Sequence, residues 1–274
     1  MSAKIWFSFV FLGFLGIMAL VIPLFPFDPN LIDPMAIGTP EPPSFSHWFG
    51  TDDLGRDILL RSIYGARISL MVGFVAVSIS LLIGVSIGLI SGFLGGVFDA
   101  IIMRTIDVLM ALPTLFLILM IQVILEPSIF NVMVVIGITS WMGMARIVRA
   151  EVLSVKERVF VTALRARGIA EKKVLFKHIL PHTLNPVIVG AMLGMGGAIL
   201  VESVLSFLGL GVQPPHASWG NMLENSLGFL REAPWMALIP GVLITLTVLS
   251  LNFLGDGLWL LLDPKAKEKH ANRR

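Results

Sequence analysis

Residues 146–181 read RIVRAEVLSVKERVFVTALRARGIAEKKVLFKHILP, a strongly basic interruption between two long apolar segments. Ser154 and Glu157 have the S-x-x-E spacing of a capping box, in which the hydroxyl accepts from the N3 amide and the carboxylate reaches back to the cap amide. That spacing predicts a helix starting at Ser154 and running to Arg167, with Gly168 supplying the left-handed stop. Phe160, Ala163 and Leu164 share one face at i, i+3 and i+4, and Lys156, Arg158, Arg165 and Arg167 make the remainder basic. A second segment carries Val174, Leu175 and Ile179 until Pro181, which removes a backbone donor and breaks the pattern. Taken alone, the pattern suits a basic helix lying on a lipid headgroup surface.

The flanking composition decides the class. Of the 274 residues, 56% are hydrophobic and 14% charged, against roughly 25% charged in soluble domains, and mean hydropathy is +0.89. The expected fold class is therefore all-α, a polytopic protein in a lipid bilayer. Apolar runs of spanning length fall near residues 5–26, 68–93, 106–125, 129–147, 186–208 and 236–262. Six spans place both termini on one side. Sixteen of the twenty Lys and Arg lie in the N-terminus, the loop at Arg104, residues 146–181 and the tail after Asp263. By the positive-inside rule, both termini and the central loop are cytoplasmic. The first span is long, ends in Pro23 and Pro26 and lacks a small-x-small cleavage site, so it is expected to be retained. The corresponding division is 1–67, a span with an extracytoplasmic segment; 68–264, the core; and 265–274, a basic tail.

Ala163, Gly168 and Leu180-Pro181 resemble the EAA loop of ATP-binding-cassette importer permeases. Residues 160–168, FVTALRARG, followed by His178-Ile-Leu-Pro181, are similar to the oligopeptide/dipeptide/nickel branch. GTDDLGRDILLRSIYGARISL at residues 50–70, the run at 199–220, and the blocks at 235–241, 252–257 and 262–264 extend the likeness in order along the chain. Thr162 and Leu164 depart from the motif's glutamate and second alanine, and Trp259-Leu260 stands where relatives often carry Arg-Asp. The resemblance implies a type I importer permease in a bacterial or archaeal cytoplasmic membrane. Its implied partners are a second homologous permease, two cassette ATPases and an extracytoplasmic solute-binding protein. The loop becomes an ATPase-coupling helix involving Phe160, Ala163, Leu164, Arg165, Gly168, Leu180 and Pro181. Peptide is the commonest cargo of the branch; nickel and oligosaccharides are the alternatives.

Ser80, Gly84, Gly88 and Gly92 recur every fourth residue in the second span, as do Gly190, Gly194 and Ala198 in the fifth. Such stripes let another backbone approach closely. Charges inside spans are costly and mark a pathway or an internal pair. Asp107 is expected to pair with Arg104 at i, i+3, and Asp256 to cap or turn the last span or to serve function. Glu202 lies deep in the fifth span with no basic residue within a turn, and with Ser203 and Ser206 is expected to face a wet translocation path or its outer gate. Near the first span, three acids in GTDDLGRD evoke a calcium loop, but position twelve is Ile63 rather than glutamate, and helix capping by Thr51, Asp52 or Asp53 is the simpler expectation.

The chain has no cysteine and no Gly-Lys dipeptide, hence no phosphate-cradling G-x-x-x-x-G-K-[ST] loop. It has no H-E-x-x-H either. No catalytic residue, metal, cofactor or nucleic-acid partner is expected, and ATP must be hydrolysed by another subunit. The competing class is an ion-coupled secondary transporter using Glu202 and Asp256, but no internal repeat supports it.

Overall fold

The computed structural model describes residues 3–262, and every element named below is helical. Helix α1 spans Ala3–Val21, α2 Ile58–Leu94, α3 Gly96–Met110, α4 Thr114–Ile124 and α5 Ile129–Lys156. The short helix α6 spans Val159–Ala166, α7 runs Glu171–Phe207, α8 is a short helix Trp219–Ser226, and α9 spans Trp235–Leu262. Five of these are long and apolar enough to cross a membrane, and α3 and α4 form one broken sixth, bent by 78°. Pro113 sits at the break, where it cannot continue the backbone ladder of α3. The broken pair runs antiparallel to α5. Asp99 meets Arg149, Ile106 packs with Met142 and Ala145, and Ile118 packs with Val132, Val135 and Ile136. The pair therefore traverses the bundle.

The small-residue stripe of α2 is a packing face, whereas Gly190, Gly194 and Ala198, expected to be another, line an open groove. A Cβ on Gly84 would sit 2.8 Å from the Trp141 carbonyl oxygen, on Gly88 2.4 Å from that of Ala145, and on Gly92 3.0 Å from that of Arg149. From the other side, a Cβ on Gly137 would lie 3.0 Å from the Ala76 oxygen. Helices α2 and α5 thus touch backbone to backbone along four turns, the contact that small residues permit where water supplies no drive for association.

Outside the membrane, residues 28–57 fold onto the outer ends of α2 and α9. Asp52 accepts from the amides of Leu54 and Arg56 and from Arg56 Nε at 2.7 Å, and Arg61 Nε lies 3.5 Å away. Asp57 caps α2, accepting from the Leu60 amide, with His47 Nδ1 2.9 Å from its other oxygen. The helix is therefore capped by Asp57 and not by Thr51, Asp52 or Asp53, and Asp52 is spent on internal donors. Burial, with Asp52 beside it, pushes the Asp53 carboxyl above the usual carboxylate range.

Several sequence expectations change. Helix α5 runs through Ser154 to Lys156, so no capping box forms there, and α6 starts after Arg158. Four buried valines at one face, Val148, Val152, Val155 and, across the break, Val161, keep α5 helical past its hydroxyl. Pro181 does not end its segment. It lies in the first turn of regular α-helix after a π turn, Val174–Ile179, and the chain continues unbroken to Phe207. The boundary drawn at residue 67 falls inside α2, and the basic tail 265–274 lies outside the described residues.

Gly88→Val should lower the melting temperature of the detergent-extracted protein, by the equivalent of about 1–3 kcal/mol for overpacking. Gly143, which has nothing within 4 Å of an added Cβ, is the control. Gly143→Ala should be neutral or stabilising by about 0.5–1 kcal/mol through helix propensity.

Candidate functional site

Two regions stand out, one around α6 and one within the bundle, and α7 joins them. Helix α6 is held from below by Val161, fully buried, and by Leu164, which packs with Val155, Val174, Leu175 and Ile179. Gly168 adopts φ +73° and closes the helix, with the Ile169 amide bonding the Leu164 oxygen at 3.2 Å. That 6→1 bond is the Schellman stop its sequence implies. Outward, α6 presents Val159 at 85% exposure, Phe160 at 37% and Ala163, with Phe176 of α7 at 58%. The shared face expected of Phe160, Ala163 and Leu164 is therefore split: Leu164 faces the core, while Phe160 and Ala163 face out. Arg165 makes two bonds to Glu171, 3.1 and 3.2 Å, and lies over the Phe93 ring. Leu180 joins the apolar cluster beneath, and Pro181 is exposed. The anchor Val161 went unnoticed in sequence because its inward face is defined only by the fold.

The π turn follows from Pro181 and from the core. An α-helical Pro181 would press its ring against the Lys177 carbonyl. Instead the Leu180 amide reaches back five residues to the Leu175 oxygen. Val174 and Ile179, five apart and fully buried, thereby share one face.

Farther along α7 lies a groove of about 200 Å³ between α2, α5 and α7. Its wall is Ala76, Val77, Ser80 and Leu81 from α2; Ile136, Ser140, Met144 and Ile147 from α5; and Gly190, Leu193, Gly194 and Ala198 from α7. It carries no charged side chain. A Cβ on Gly190 would stand 2.6 Å from the Met144 methyl, the movable end of a flexible side chain.

Glu202 does not open on this groove. Its side chain is fully buried, with Ser69 Oγ of α2 donating at 3.1 Å to one oxygen and Ser206 Oγ donating at 2.7 Å to the other. Ser203 donates instead to the Ile199 carbonyl at 2.8 Å, and the Ser218 hydroxyl lies near the carboxylate. Ser218 is the N-cap of α8 in a capping box with Asn221, and the next residue, Trp219, donates from its indole to the Ser62 carbonyl at 3.0 Å. Where a wet path was expected, the carboxylate is enclosed by the chain's own side chains, and its hydroxyl partners tie α7 to α2. Ser69 and Ser218 were not foreseeable, since they come from elements distant in sequence. Asp107 pairs with Arg146 of α5 instead of Arg104, because the broken span turns it toward its neighbour. Asp256 neither caps nor turns the last span: α9 continues to Leu262 and Asp256 is exposed between Gly255, against α7, and Gly257, against α1.

The family profile of binding-protein-dependent transport system inner membrane components matches residues 84–268. The chain belongs to this family. It is 48% identical over 225 residues to the dipeptide transport system permease protein DppC of Alkalihalophilus pseudofirmus, covering 82% of this chain and 74% of that one. It is 45% identical to the oligopeptide transport system permease protein OppC of Bacillus subtilis over 83% of this chain and 75% of that one, and 40% identical to DppC of Haemophilus influenzae over 94% and 90%. In structure it is similar to a chain of the inward-facing MetNI methionine ABC transporter, with a TM-score of 0.61 at 17% identity, covering 75% of this chain and 98% of the other. The family member is thus a transport permease subunit with the type I importer fold, an inner-membrane component.

Glu202→Leu would leave the hydroxyls of Ser69 and Ser206 without their acceptor, at about 1–3 kcal/mol for each buried unsatisfied group. Glu202→Gln keeps an acceptor and shape. Thermal unfolding of the extracted protein should therefore show a clear fall for Leu and a much smaller one for Gln, and equal falls would contradict the hydroxyl cage.

Proposed function

We propose that the chain carries peptides as one of two permease subunits of an ATP-driven importer, with α6 seated on a cassette ATPase and the α2–α5–α7 groove forming its half of the path. The carrying observation is α6: a short helix, stopped at both ends and anchored by Val161, that turns Val159, Phe160 and Ala163 outward. Apolar groups so exposed in a basic setting fit the apolar core and polar rim of a protein interface. A rigid peg on a buried base passes displacement to the bundle better than a loose loop.

Peptide as cargo rests on the dipeptide and oligopeptide permeases to which the chain is similar. The uncharged groove, with the Ser80 and Ser140 hydroxyls among apolar groups, accommodates backbone amides without selecting side-chain charge. A second, homologous permease completes the path, two ATPases supply the motor, and an extracytoplasmic binding protein delivers the cargo. Residues 146–181 and both termini are cytoplasmic in this reading, as the distribution of basic residues implies.

Two measurements check it. The chain has no cysteine, so a cysteine placed at Lys172 should resist an impermeant thiol reagent in intact cells, while one at Phe45, fully exposed, should react; the reverse pattern would overturn the orientation. Ala163→Asp adds a charge on an exposed position, so the protein should still fold and insert. Buried in an ATPase cleft, that charge should cost about 3–5 kcal/mol and abolish ATPase copurification and uptake. Undiminished copurification and uptake would place the motor elsewhere.

A further inference from the structure

Between the docking helix and the groove lie the break after Gly168 and the π turn of α7, and two side-chain contacts bridge them. Glu171, the first residue of α7, holds Arg165 of α6 through two parallel bonds of 3.1 and 3.2 Å. His182, just past the π turn, lies against Phe160 of α6 with ring centroids 5.4 Å apart and planes at 44°. One contact thus precedes the π turn and the other follows it, so α6 is gripped on both sides of the one irregular segment of α7.

A π turn is a single-turn irregularity with reach-back of five residues, found frequently at functional sites. Left to itself it is the place where a push on α6 would be absorbed as bending rather than passed on. The two-bond fork adds direction more than energy, because both partners are well exposed, Arg165 at 40% and Glu171 at 56%. The ring contact fixes the separation of α6 from the helix that, two turns on, supplies Gly190 and Gly194 to the groove.

We propose that Glu171 and His182 are positioning residues that hold α6 in fixed register with α7 across the π turn, so that displacement of the docking helix reaches the groove. They touch neither cargo nor nucleotide; their effect is on coupling. The proposal rests on the reading of α6 as the ATPase-docking helix. Its test separates the two.

The whole complex, permeases with ATPases and binding protein, is reconstituted in proteoliposomes with a dipeptide as cargo. The double variant Glu171→Gln, His182→Ala is compared with the native chain for ATPase copurification, ATP hydrolysis and uptake. Copurification and hydrolysis should persist, and ATP consumed per dipeptide imported should rise about fivefold, within the range by which residues along a coupling route change coupling. His182→Phe, which keeps a ring against Phe160, should retain the native ratio. A double variant with the native ratio would overturn the proposal, including one that merely assembles in smaller amounts. Loss of ATPase copurification would also overturn it, because the two residues would then serve docking itself. Failure of the native chain to copurify with any ATPase would instead overturn the docking reading.

Discussion

The backbone contact between α2 and α5 is the constraint on which the rest depends. Gly84, Gly88 and Gly92 bring α2 against the carbonyls of Trp141, Ala145 and Arg149, and Gly137 returns the contact from α5. In a bilayer, lipid tails are as apolar as leucine, and close packing has to supply the association that hydrophobic burial supplies in water. With this pair fixed, α7 has one place to lie, across both, and the groove is the space that its own glycines leave open. The inward end of the pair also sets the loop. Val148, Val152 and Val155 carry the buried stripe of α5 past the membrane and onto Val161 of α6.

Two polar devices finish the ends of that frame. At the end nearest α6, Arg149 grips Asp99, which also accepts from Ser91, and Lys156 donates to the Gly92 carbonyl at 2.9 Å. This holds the start of the broken span and the end of α5 to α2. At the opposite end Glu202 accepts from Ser69 of α2 and Ser206 of α7. Both use a carboxylate as a hub. One is paired with an arginine, and the other, with no basic neighbour, accepts from serine hydroxyls.

Much of this was legible in the sequence, for reasons that differ by element. Five crossings follow from hydropathy, because a spanning helix must be apolar all round, while the span expected at 106–125 is a bent pair broken at residues 111–113. The glycine stripe predicted close packing because no other purpose explains a small residue every fourth position. Gly168 was readable as a stop, since its conformation is local. The capping box at Ser154 and the break at Pro181 misled, because each is a local preference overridden by the valine face beneath it. The partners of Asp107 and Glu202 were out of reach: Arg146, Ser69 and Ser218 are brought in by tertiary packing. Leu164 had the right period for the outward face, but a helix of two turns has too few residues for its pattern to say which side is covered.

The central claim is that motion of α6, driven by an ATPase, works the groove. Its most direct test is uptake into proteoliposomes holding this chain with its partner permease and ATPases, with the binding protein and a labelled dipeptide on the face opposite the ATPases. Uptake should require ATP on the ATPase side and persist when the proton gradient is collapsed. Uptake driven by a proton gradient without ATP would contradict the account and assign Glu202 a part in ion coupling.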